Sequence, residues 1–100
     1  AQAGRPTPIH PVGLAADSLG ASLLGSNGWT ALSAVGAVSV LVTDDEVRRA
    51  QLHLWDTFRL ITEPAAATPI AALMAGRVEG ADSIAVVVCG ANTTVDFVGH

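Results

Sequence analysis

The sequence predicts an α/β fold: a partial parallel sheet with flanking helices, in a single partial domain over residues 1–100. Three observations predict it. Two short runs, "AVSVLV" at Ala37–Val42 and "IAVVV" at Ile84–Val88, are apolar on both faces and rich in β-branched residues. That is the pattern of strands buried on both sides in a parallel sheet. Between them lie two helical stretches, and the order strand, helix, helix, strand is that of an α/β layer. Finally, half the residues are hydrophobic and only 14% are charged, well under the usual quarter. So short a chain buries a modest share of its surface, which points to a missing cover: another subunit or the rest of a larger fold.

Ala1–Val12 carries three prolines and a glycine and reads as extended or loop. Asp17 and Ser18 suit the cap of a short helical turn, with Gly20, Gly25 and Asn27-Gly28 as breakers. Trp29–Val35 reads as a further short helix. After the first strand, "TDDE" is a capping box: Thr43 accepts from a backbone N–H and Glu46, three residues on, reaches back. Asp44 and Asp45 favour the helix dipole. Val47, Ala50, Leu54, Phe58 and Ile61 follow at helical spacing, Leu52 and Trp55 widen the stripe, and Arg48, Arg49, Asp56 and Arg59 mark the wet side. Pro64 suits the first position of the next helix. Pro69 interrupts it, so Thr68-Pro69 is an alternative start. The alanine-rich helix runs to about Met74 and ends at Gly76. "VEGADS" is a loop, and Cys89 closes the second strand.

Several function classes drop out. The net charge is −4 and the five basic residues are scattered arginines with no basic stripe, so neither nucleic acid nor an anionic membrane is expected as partner. The longest largely apolar run, Ala34–Val42, is too short to span a bilayer. A single cysteine forms no internal disulfide and fits a reducing, cytoplasmic setting. No signal peptide is visible, and without an initiator methionine the chain looks cut from something longer or processed. There is no P-loop, G-x-S-x-G or G-x-G-x-x-G. His10, His53 and His100 lack zinc-ligand spacing, so no metal is expected.

Two candidates remain. Cys89 ends a buried strand before a small-residue turn, where open α/β sheets bind ligands. It reads either as such a contact or as a small buried hydrophobe. Glu63, just before Pro64, reads either as a group at the same sheet edge or as a helix N-terminal charge.

Read in order, "VTDDEVRRAQLHLWDTFRLITEPAAATPIAAL" and "AVVVCGANTT" resemble the C-terminal part of the serine/threonine dehydratases, with serine racemases among their relatives. The upstream "GRPTPIHPVGLAADSLGA" resembles the family's "TIADG" or "AADSLGA" segment. The family shows an acidic helix start after a strand, then "EPAGA", then a strand ending in "SGGN", "SGAN" or "CGGN". The resemblance implies a fragment of the large domain of a fold type II (tryptophan synthase β-like) enzyme that uses pyridoxal 5'-phosphate. It implies that Cys89 contacts the pyridine nitrogen, that Gly90 and Ala91 leave room for the ring, that Asn92 holds the turn, and that Glu63 lies beside the cofactor pocket. Two departures stand out: Ala66 replaces the glycine of "EPAGA", and Pro69 sits where a plain helix is expected.

The implied reaction is a lyase step of amino-acid metabolism, in which a serine or threonine dehydratase (ammonia-lyase) turns a β-hydroxy amino acid into a 2-oxo acid and ammonia. Yet all five basic residues are arginines, so the chain has no lysine. The Schiff-base lysine and the phosphate loop of the family would precede residue 1, and no residue here is assigned a catalytic role. The expected partner is therefore the missing N-terminal part of the enzyme, with a homo-oligomer through apolar faces and a small amino-acid substrate. The chain alone is expected to be inactive. The rival reading is a non-catalytic binding or oligomerisation module, or a racemase-like member of the family.

Overall fold

The computed structural model describes Gly13 and residues 23–94. The expected loop at Ala1–Val12, the cap at Asp17 and Ser18, and the histidines at 10 and 100 lie outside the described residues. Three helices form: α1 (Ser26–Ala34), α2 (Asp44–Phe58) and α3 (Pro64–Met74). α1 begins three residues before the expected Trp29, with Gly25 as its N-cap. Asn27 and Gly28 therefore sit inside its first turn rather than breaking it. The first four N–H groups of a helix have no partner within it, so poor helix formers are tolerated there. No residue of α1 is buried.

α2 starts as the sequence dictates. The Thr43 N–H donates to Glu46 Oε2 at 2.8 Å, and the Glu46 N–H donates to Thr43 Oγ1 at 3.2 Å. It buries Val47, Ala50, Gln51 and Leu54, while Leu52 and Trp55 are half-buried. The expected apolar stripe does not extend further: Phe58 is exposed and Ile61 lies beyond the helix. The helix stops because Arg59 turns into the left-handed region at φ 55°, which lets the Leu60 N–H reach the Leu54 carbonyl at 3.2 Å. A non-glycine residue pays a steric penalty there of roughly 1–2 kcal/mol. The Arg59 guanidinium partly offsets it, stacking 5.2 Å from the Trp55 ring centroid and donating to the Trp55 carbonyl.

α3 takes Pro64 at its N-terminus and runs unbroken through Pro69. Thr68 is thus not a second cap; its hydroxyl donates back to the Pro64 carbonyl at 3.0 Å. Pro69 is exposed, so its ring projects away from the core and the helix tolerates the missing N–H. α3 packs on α2 through Ala66, Ala67, Ala71 and Ala72, all buried. The shared core is Val47, Ala50, Ala67 and Ala71, flanked by Val42 and Ile70. Small side chains let the two helices approach closely, so this core is thin and intolerant of added volume. Arg77, past the end of α3, returns to the start of α2. It pairs with Glu46 through both nitrogens, at 2.5 and 2.6 Å, and donates to the Leu41 carbonyl at 3.2 Å.

The expected parallel sheet is not formed among the described residues. No strand is present there, and no backbone–backbone hydrogen bond ties Val38–Val42 or Ile84–Val88 to another described residue. A strand satisfies its N–H and C=O groups only through a neighbour. Instead of pairing, the two runs flank a cleft of about 320 Å³ that Thr68, Pro69, Ala72 and Leu73 of α3 also line. Val38, Leu41 and Val87 are at least 75% exposed.

Candidate functional site

The α2–α3 connector, Arg59–Glu63, meets the segment that ends in Cys89 and Gly90. At the close of the connector the Glu63 N–H donates to the Gly90 carbonyl at 3.1 Å. Glu63 is also the N-cap residue of α3, with an extended backbone at φ −72° and ψ 159°. Its side chain does not cap the helix. It turns over Gly90 instead, so closely that a Cβ added at Gly90 would lie 1.6 Å from Glu63 Oε1 and 2.6 Å from Cδ. Only glycine at 90 leaves the carboxylate where it is. Glu63 is thus a charge at the N-terminus of α3 and also a carboxylate laid across the turn at Gly90.

Cys89 is exposed and forms no disulfide, so the buried-hydrophobe reading does not hold for it. Its thiol stands open beside the residue that Glu63 covers. Asn92 is exposed too, and makes no hydrogen bond to another described residue. The turn is closed by backbone, with the Thr93 N–H donating to the Ala91 carbonyl at 2.8 Å. Of the four expected site residues, then, Glu63 and Gly90 meet, Cys89 adjoins Gly90 along the chain, and Asn92 follows on the turn without bracing it. His53 is exposed on α2, 3.5 Å from the Thr57 hydroxyl and edge-on to Phe58. Among the described residues no cluster of His, Cys, Asp or Glu is placed to hold a metal ion, and no helix is long and apolar enough to cross a membrane.

Two residues behind this meeting point were not singled out from the sequence. Gln51 is 3% exposed and Thr62 is 1% exposed. The Gln51 side-chain amide donates to the Thr62 carbonyl at 2.8 Å. The Thr62 hydroxyl is buried with no hydrogen-bond partner among the described residues. Gln51 did leave a signal: it stands four residues after Val47 and three before Leu54, a polar side chain on the buried stripe. Arg77 left none, since nothing local distinguishes it from the other arginines.

Comparison with known proteins bears on the same segments. A curated relative, the Phenylserine dehydratase of Ralstonia pickettii, is 48% identical over 56 residues, which is 54% of this chain and 17% of the relative. The chain therefore spans only a small part of that protein's length. The family described as "Pyridoxal-phosphate dependent enzyme" matches residues 1–90, nearly the whole sequence. In agreement with the resemblance carried by the "EPAAA" and "CGAN" segments, the chain belongs to the family of pyridoxal-phosphate dependent enzymes.

Proposed function

We propose that this chain is the C-terminal segment of the large domain of a fold type II lyase that deaminates a β-hydroxy amino acid to a 2-oxo acid and ammonia. The observation that carries the reading is the meeting of Glu63 with Gly90 beside an open Cys89 thiol. The likeness to a phenylserine dehydratase supports the substrate class. The residues present fit the pyridine end of the cofactor. A neutral thiol such as Cys89 can hydrogen-bond a pyridine nitrogen, yet it cannot hold that nitrogen protonated as an aspartate would. Glu63 forms the side of the pocket, Gly90 leaves the space that the carboxylate fills, and Asn92 lies on the turn leading out.

When bound, pyridoxal phosphate supplies the electron sink for loss of the α-proton and the β-hydroxyl. This chain supplies the wall that sets how strong that sink is. The covalent lysine and the phosphate-binding loop are assigned to the remainder of the enzyme, which also covers the apolar runs at 37–42 and 84–88 and completes the sheet.

The test uses the full-length enzyme, with release of 2-oxo acid from phenylserine, threonine and serine as the readout. We expect release from the full-length protein and none from the 100-residue chain alone. Cys89→Asp should shift the absorbance of the bound cofactor and lower release by about tenfold or more, because it changes the protonation of the ring. A full-length protein that binds the cofactor but acts on none of these substrates would sink the lyase reading. Cys89 variants with unchanged absorbance would sink the ring contact.

A further inference from the structure

Every peptide bond in the described residues is trans, so the Thr62 carbonyl and the Glu63 N–H point in opposite directions from one rigid plane. Both are held. Gln51 donates to the carbonyl at 2.8 Å, and the N–H donates to the Gly90 carbonyl at 3.1 Å. A single peptide plane thus joins the core of α2 to the turn that carries Cys89. Among the described residues, Gln51 is the side chain that grips this plane from the α2 side. Its burial at 3% and its position on the apolar stripe leave it no solvent to bond instead.

We propose that Gln51 is a positioning residue for the cofactor wall. By fixing the tilt of the Thr62–Glu63 peptide it sets where the Glu63 carboxylate lies over Gly90, and through Gly90 it sets the place of the Cys89 thiol. Hydrogen bonds in series through one amide polarise each other, so the inner bond strengthens the outer one. Loss of the Gln51 amide leaves a buried carbonyl without a donor, and the plane is then free to tilt. The inference rests on the proposed cofactor site and assigns it a support that lies outside the site itself.

The experiment uses the full-length enzyme stripped of cofactor and titrated with pyridoxal phosphate, with the absorbance of the bound form recorded. Gln51→Met keeps the length of the side chain and removes its donor. It should weaken cofactor binding by about tenfold, the effect of one lost hydrogen bond, and shift the absorbance. Because Glu63→Ala keeps the N–H that bonds Gly90, the background that tests the route carries Glu63→Ala and Cys89→Ala together. There the same change should add almost nothing, since Gln51 acts through those two side chains. Gln51→Asn keeps the amide but shortens its reach. It is the milder second variant should Gln51→Met fail to fold, and it should move both readouts the same way by less. The inference is overturned if the Gln51 variants lower the melting temperature while leaving affinity and absorbance unchanged. It is overturned equally if their effects multiply independently with that of the paired Glu63→Ala and Cys89→Ala changes. If Glu63→Ala and Cys89→Ala themselves change neither readout, the cofactor site falls, and the role of Gln51 falls with it.

Discussion

The α2–α3 pair and the two apolar runs beside it are built from similarly apolar sequence, yet they end in opposite conditions. α2 and α3 satisfy their backbones internally, close their ends with the Thr43–Glu46 box and Pro64, and bury Val47, Ala50, Ala67 and Ala71. Val38–Val42 and Ile84–Val88 find no backbone partner among the described residues, and Val38 and Val87 stand 86% and 75% exposed. The difference is one of range. A helix needs only its own residues, whereas a strand needs a neighbour whose sequence lies elsewhere. Hydrophobicity alone does not decide burial; the availability of a partner does.

The largest effect that would break this contrast lies in the thin core. Ala50 is fully buried between α2 and α3, so Ala50→Leu should destabilise by about 2–3 kcal/mol through overpacking. Val87→Ser, on an open run, should cost no more than about 0.5 kcal/mol in this chain. In the full-length enzyme the second value should rise to about 2 kcal/mol if the proposed sheet covers Val87. Urea unfolding of both variants in both contexts measures it. Equal costs for Val87→Ser in the two contexts would mean that nothing covers the run.

How far the site was legible follows from the same distinction of range. Thr43, Glu46 and Pro64 were readable because capping acts over three or four residues. Cys89 and Glu63 emerged as candidates because each sits where an apolar segment ends, and the structure brings Glu63 to the residue after Cys89. The sheet is not formed among the described residues: periodicity marks a segment that wants to be buried but says nothing of whether its neighbour is at hand. The helix stripe was overread at Phe58 and Ile61, since Arg59 gives no glycine-like sign of a left-handed turn. The hold of Gln51 on Thr62 spans 11 positions, and that of Arg77 on Glu46 spans 31. Neither separation has a local pattern to betray it.

A smaller effect sharpens the contrast at the exit of α2. Arg59 holds its left-handed conformation against a steric penalty that glycine does not pay. Arg59→Gly should relieve about 1 kcal/mol of that penalty and lose about 0.5 kcal/mol of contact with Trp55. The expected result is a net gain of about 0.5 kcal/mol in urea unfolding. A loss instead would show that the guanidinium over Trp55, rather than the backbone turn, is what ends the helix well.

The smallest effect concerns the tie between the end of α3 and the start of α2. The Arg77 guanidinium, bonded to both carboxylate oxygens of Glu46, holds that carboxyl down from its ordinary 4.5 to about 2, with the Thr43 N–H assisting. Below pH 4.5 the unfolded chain takes up a proton at this site that the folded chain still refuses. The contribution is therefore complete above pH 4.5 and lost as the pH falls through about 2. Melting curves between these limits should slope downward with acid, and Glu46→Gln should flatten that part of the slope. Because the Arg77 side chain is 41% exposed, solvent and salt screen the pair. High salt should then shrink the difference between the wild type and Glu46→Gln. A slope unchanged in Glu46→Gln would move the acid sensitivity to another carboxyl and remove the ion pair as its source.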